Sequence, residues 1–103
     1  MTYRIIPHPQ IEDDLFEITD YVASYAGLAI GQAKVDEILA RIDKLKDYPH
    51  IGTLRKGMSG VRVIPAGKQA VICFTVNEAA KTVSVIAITY AGADWQARVR
   101  ERQ

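Results

Sequence analysis

The apolar residues of this chain change their spacing once, near Pro49, and that change restricts what the chain can fold into. Before it, Ile11, Leu15, Ile18, Val22 and Tyr25 recur at steps of three and four, as do Val35, Ile38, Ile42 and Leu45. Such spacing gathers each set on one stripe of a helix and leaves the charged residues on the other side. After it, Ala70 to Val76 is a near-continuous apolar run and Thr82 to Tyr90 is rich in strand formers. A run of the first kind suits a central strand covered on both faces.

Local signals divide these blocks. Thr2 to Ile6 reads as a short first strand, ended by Pro7-His8-Pro9. Pro9 suits the first position of a helix, where its missing N–H costs nothing. Glu12, Asp13 and Asp14 suit the positive end of that helix's dipole. Gly27 is a natural stop. A second helix is expected from about Leu28 to Asp47, closed by Tyr48-Pro49. A glycine-bearing loop, His50 to Gly60, follows. Val61, Val63 and Pro65 mark a short strand, Gly67 a turn, and Asn77 to Lys81 a polar hairpin loop. Asp94 to Arg102 reads as a short polar helix with Asp94 as its N-cap. Two helices joined closely form an antiparallel hairpin, and its apolar stripes leave water by packing on a sheet. The expected fold is α+β in one domain, residues 1–103. It has an N-terminal strand and an antiparallel helical hairpin packed on an antiparallel sheet of about four strands, with a short C-terminal helix.

Thirteen basic and twelve acidic residues leave a net charge of +1, so no global nucleic-acid signature is present and any basic function must come from local clustering. The single cysteine, Cys73, lies inside the apolar run Val71-Ile72-Cys73-Phe74 and reads as a small buried hydrophobe. Pro7 and Pro9 interrupt the first apolar residues before an export signal could form. No stretch approaches the roughly 18 apolar residues of a membrane span. A cytoplasmic location is expected. His8 and His50 lack metal-ligand spacing, and no phosphate loop or nucleophile triad is legible, so no metal, cofactor or small-molecule ligand is expected.

Five strings, in order, resemble the RelE/ParE toxins. Tyr3-Arg4-Ile5-Ile6-Pro7 resembles the family's opening strand. Asp14-Leu15-Phe16-Glu17-Ile18-Thr19-Asp20-Tyr21-Val22 is similar to its first helix, and Leu45-Lys46-Asp47-Tyr48-Pro49-His50-Ile51-Gly52 to the end of its second helix and the Pro-x-x-Gly turn. Gly60-Val61-Arg62-Val63-Ile64-Pro65 resembles its Gly-Leu-Arg strand. Ala87-Ile88-Thr89-Tyr90-Ala91-Gly92-Ala93-Asp94-Trp95 resembles its last strand and exit. The resemblance spans nearly the whole chain and is closer to the ParE branch. It implies the toxin of a type II toxin–antitoxin pair. ParE-type toxins poison DNA gyrase by binding, without catalysis, and a cognate antitoxin neutralises them. Its disordered C-terminal part wraps the toxin, as a helix in an apolar groove and sometimes as an added strand. Leu28, Ile30 and Leu39 on the helical hairpin are the candidate antitoxin contacts.

The RelE branch implies a different chemistry, ribosome-dependent mRNA cleavage, in which a 2′-hydroxyl attacks its own phosphate. That needs a proton acceptor, cations for the phosphorane charge and an acid for the leaving oxygen. The candidates are Arg55, Lys56, Arg62, Lys68 and Tyr90. Bland readings stand beside them: solvated loop charges for Arg55, Lys56 and Lys68, a structural arginine, a half-buried strand tyrosine. Ala87 and Ala93 stand where many relatives carry arginine, and Tyr90 where ParE-type members usually carry histidine. Losing two cations argues against cleavage and for gyrase inhibition. Target contacts are then expected at Arg62, Tyr90, Trp95 and Arg98. The ribosome with mRNA is the alternative target, and a degenerate toxin that only binds antitoxin is a third reading.

Overall fold

A computed structural model describes residues 2–103. Its elements are β1 (Arg4–Pro7), α1 (Ile11–Ala26), α2 (Leu28–Asp43), a 3₁₀ turn (Lys44–Lys46), β2 (Thr53–Leu54), β3 (Arg62–Ala66), β4 (Ala70–Asn77), β5 (Thr82–Tyr90) and α3 (Trp95–Arg102). The strands form one sheet in the order β1-β5-β4-β3-β2. The helical hairpin, the central β4 and the C-terminal helix lie where the sequence places them, except that α2 ends at Asp43 and a 3₁₀ turn carries the chain on to Lys46.

Three features correct the sequence reading. The sheet has five strands rather than four, because Thr53–Leu54 in the glycine-bearing loop pairs with β3. The sheet is mixed, because β1 runs parallel to β5 while the other pairs are antiparallel. Hydrophobic alternation carries no information on strand direction, so neither feature could be read from period alone. The first helix begins at Ile11 rather than Pro9. His8 makes that turn instead, its Nδ1 accepting from the Gln10 N–H (3.1 Å) and its carbonyl from the Ile11 N–H.

The core has two parts, one on each face of the sheet. Ile11, Ile18, Val22, Ile38, Ile42 and Leu45 of the hairpin and turn meet Ile64, Ile72, Phe74, Val83, Val85 and Ile88 on one face. On the other, Val61, Val63, Cys73, Ile86, Ala87 and Val99 form a smaller cluster, with Trp95 packed against it. The C-terminal helix is therefore a third layer rather than a solvated appendage. Burial pushes the Cys73 thiol up to about 12, which makes it inert at neutral pH.

A bulge on β5 sets the phase of the sheet. Cys73 pairs with Ala87 and Phe74 with Val85, so Ile86 is an extra residue. Ile86 and Ala87 both join the α3-side cluster, and Ile88 returns to the hairpin side. The bulge thereby turns Tyr90 toward the helices.

β1 ends at Pro7 opposite Val85, so β5 continues past its outer partner. Side chains take over that edge. Asp14, 2% exposed, accepts from the Ile88 N–H (3.0 Å). Arg102 donates to both Asp14 oxygens (2.6 and 2.8 Å) and to the Ile86 carbonyl. Arg98 donates to Asp14 Oδ1 and to the Ile88 carbonyl. A buried carboxylate is costly unless its lone pairs are all met, and here four N–H donors converge on it.

The two helices of the hairpin meet at Gly31. A Cβ there would stand 2.8 Å from the Thr19 carbonyl oxygen, so only glycine allows this approach.

Two stability tests follow. Asp14→Ala leaves two arginines facing a vacated buried site and is expected to cost about 3–5 kcal/mol in urea unfolding. Asp14→Leu combined with Arg102→Met should recover much of that loss, and a single-variant cost under about 1 kcal/mol would show the cluster to be idle. Gly31→Ala would gain roughly 1 kcal/mol by helix propensity alone. The clash reverses the sign, and a net loss of about 1–3 kcal/mol is expected by the same measurement.

Candidate functional site

The candidate residues fall into three separate places. The first is a cleft of about 420 Å³ between α1 and the end of β5, lined by Glu17, Tyr21, Tyr90, Gly92 and Arg98 among others. Tyr21 and Tyr25 sit one helical turn apart on α1. Their rings meet edge to face at 5.6 Å, and Tyr21 meets Tyr90 at 5.7 Å. The Tyr25 and Tyr90 hydroxyls stand 3.5 Å apart. That hydrogen bond, then desolvation, then the nearby Tyr25, Tyr21 and Glu37, push Tyr90 up to about 12. A phenol so shifted holds its proton, whereas acid–base catalysis is best served by a group titrating near the working pH.

The second place lies at the far end of the same sheet face. Arg62 donates to the His50 carbonyl (3.0 Å) and so fixes the loop after the 3₁₀ turn. His50 Nε2 contacts a Glu78 oxygen, and the Tyr3 hydroxyl donates to the other (2.6 Å). Lys81 pairs with Glu78 at 3.6 Å and lies over the Tyr3 ring. The Tyr3 hydrogen bond, more than the nearby His50 and Lys81, draws the Glu78 carboxyl below its ordinary range. These exposed groups join β1, the loop and the β4–β5 hairpin. His50 and Arg62 thus have evident structural duties.

Arg62 pairs with Phe74, and Tyr90 pairs with Ala70, at opposite parts of β4. Four residues of strand at about 3.3 Å each separate the two registers. Lys68 lies in the β3–β4 turn, toward the Tyr90 end.

The third place is on the α3 side. Arg55 lies over the Trp95 ring, 5.4 Å from its centroid. Arg55, Lys56 and Arg100 border a cleft of about 470 Å³ with Leu54, Met58 and Gln96. Arg98, a candidate target contact, reaches Asp14, Glu17 and the β5 edge and also lines the tyrosine cleft. Arg55, Lys56, Arg62, Lys68 and Tyr90 are therefore not gathered around one point.

The sequence reading missed Asp14, Tyr21 and the role of Arg102. The signal for Asp14 was present: it stands three residues after Ile11 and four before Ile18, on the apolar stripe itself. A carboxylate there needs a buried cation. Tyr21 and Tyr25 carry the one-turn spacing of a helical pair, but only the β5 bulge brings Tyr90 to them.

The exposed large apolar residues of α2 occupy two flanks. Leu28 (60% exposed) and Leu39 (45%) lie on one side of α2, three turns apart. Ile30 (49%) lies on the opposite side. Among the described residues no group of acidic, histidine and cysteine side chains could hold a metal ion, and no helix is long and apolar enough to cross a membrane.

Comparison with known proteins agrees with this architecture. The chromosomal ParDE toxin–antitoxin system from P. aeruginosa superposes with a TM-score of 0.75 at 17% identity, over 87% of this chain and 97% of that one. A RelBE toxin–antitoxin complex from Mycobacterium tuberculosis gives 0.66 at 13% identity, over 87% and 99%. A mutant of the E. coli toxin RelE in the free state gives 0.66 at 14%, over 99% and 94%. At these identities the likeness shows the fold. No curated sequence matches significantly. The profile described as ParE toxin of type II toxin-antitoxin system, parDE, matches residues 5–95. On a match of that extent, this chain belongs to the ParE toxin family of type II toxin–antitoxin systems.

Proposed function

We propose that this toxin inhibits DNA gyrase by binding it, and that a cognate antitoxin neutralises the toxin. The observation that carries the choice of binding over cleavage is the scatter of the candidate groups. Arg62 and Tyr90 stand at different ends of the hairpin-side face, and Arg55 and Lys56 stand against α3. Phosphodiester cleavage needs a proton acceptor, a cation and an acid around one phosphate. Tyr90 with its pKa raised to about 12 also favours a binding role. Ala87, fully buried beneath α3, and Ala93 supply no cation. Membership of the ParE family supports the same direction.

Target contacts are proposed at Arg62, Tyr90 and Trp95, with Arg98 contributing through its hold on α3. Antitoxin contact is proposed along α2 at Leu28 and Leu39, with Ile30 engaged by a segment that wraps to the other flank. An amphipathic helix meeting Leu28 and Leu39 would span the three turns between them. The similar ParDE and RelBE structures are toxin–antitoxin systems, which supports an antitoxin partner for this chain.

The deciding measurement is supercoiling of relaxed plasmid by purified gyrase and ATP. Inhibition at micromolar toxin or below, relieved by the antitoxin, is the expected result. Full supercoiling beside an excess of folded toxin, with mRNA cleaved on translating ribosomes, would favour the RelE chemistry instead. Leu28→Asp with Leu39→Asp should weaken antitoxin binding by about 30-fold or more while gyrase inhibition persists. Equal affinity by titration calorimetry would move the antitoxin contact off this flank.

A further inference from the structure

The α3-side cleft lies apart from the proposed antitoxin flank, and of its lining Met58 packs on the apolar cluster beneath α3. The spacing of α3 divides its side chains among three directions. Trp95 and Val99 meet the sheet, Arg98 and Arg102 reach Asp14, and Gln96 and Arg100 look into the cleft. Each pair is one turn apart. Asp14 therefore consumes two of the three alternating arginines and leaves Arg100 for the cleft.

Across from Arg100, the loop after β2 supplies Arg55 and Lys56. Among the described residues no acidic side chain lines this cleft, and Arg55, Lys56 and Arg100 enter no ion pair. In a chain of net charge +1, three free cations around one opening are a local concentration. The Arg55 guanidinium lies over Trp95, which restrains the fork while leaving its N–H edge to donate. Gly57 at the rim has open space where a Cβ would point. The volume of about 470 Å³ exceeds what a lone phosphate needs and is open along one side. Since Arg55 already covers the Trp95 ring, base stacking there is disfavoured and contacts to a charged backbone are favoured.

We propose that Arg55, Lys56 and Arg100 form a docking site for the phosphodiester backbone of a nucleic-acid duplex. The choice of DNA over RNA rests on the gyrase reading, since gyrase holds duplex DNA where a bound toxin could reach it. The contact adds affinity without base recognition and without cleavage.

The test uses the whole toxin and a short labelled DNA duplex in fluorescence anisotropy, without gyrase. A Kd on the order of 10⁻⁴ to 10⁻⁶ M is expected at moderate salt. Three neutralised phosphates give a slope of log K against log salt of about −3. Lys56→Glu with Arg100→Glu should lower affinity about tenfold or more and flatten the slope toward about −1. Lys34→Glu with Lys44→Glu, an equal charge change on α2 and the 3₁₀ turn after it, should leave both nearly unchanged. Circular dichroism establishes that each variant is folded. Absence of binding, an equal loss in both double variants, or equal affinity for polyglutamate of matched charge would overturn the site. An RNA duplex binding at least as tightly as DNA would support the site while counting against the gyrase reading. DNA binding with no effect on supercoiling would likewise separate the two.

Discussion

β5 outruns its neighbour. β1 stops at Pro7, opposite Val85, and the backbone of Ile86 and Ile88 faces outward with no strand beside it. An uncovered edge of this kind would either take up water inside the fold or recruit another chain. The molecule closes it with one carboxylate and two guanidinium groups from helices at opposite ends of the sequence. Asp14 meets the Ile88 N–H, Arg98 the Ile88 carbonyl and Arg102 the Ile86 carbonyl. Because Asp14 lies on α1 and the arginines on α3, the same cluster joins the two layers across the sheet edge. The third layer depends on this, since α3 brings only Val99 and Trp95 to the apolar cluster beneath it.

That arrangement also explains the composition of α3. Three alternating arginines look redundant on a short helix. With 3.6 residues per turn, Arg98 and Arg102 share a face and Arg100 does not. The acidic residue that uses two of them is 84 and 88 positions away. Charge balance at one buried point thus determines which cation remains at the surface. The clamp and the basic cleft are two outcomes of one helical period.

Much of the fold was legible because it follows from side-chain period. The stripes of α1 and α2, the stop at Gly27, the doubly buried run of β4 and the Asp94 cap all rest on local signals, and Asp94 indeed accepts from the Ala97 N–H. What escaped depends on relations between distant residues. Whether β1 runs with or against β5 is decided by where the hairpin returns the chain, not by the residues of Arg4–Pro7. β2 is two residues long, too short to show any alternation. The bulge at Ile86 did leave a trace, since Val83, Val85, Ile88 and Tyr90 step by two, three and two. That break in phase moves Tyr90 to the hairpin face. Candidate residues chosen by type alone could not show that Arg62 and Tyr90 end up apart, because the register of β4 separates them.

The distribution of the chemical groups then bears on what kind of toxin this scaffold can be. A catalyst must concentrate its groups where one bond changes, and it tolerates little displacement of them. A protein that acts by occupying another protein has no such need. It can spread anchors over several faces, provided that the layers presenting them stay rigid relative to one another. Here the tyrosine cleft, the exposed flank of α2 and the basic cleft lie on different parts of the surface. The Asp14 cluster ties α1 to α3, and Gly31 allows α2 to close on α1, so these surfaces are held at fixed spacing. An antitoxin on the α2 flank would leave the α3 side open unless its chain continued around the molecule. Neutralisation by a wrapping segment is therefore easier to reconcile with these separated surfaces than occlusion of a single pocket.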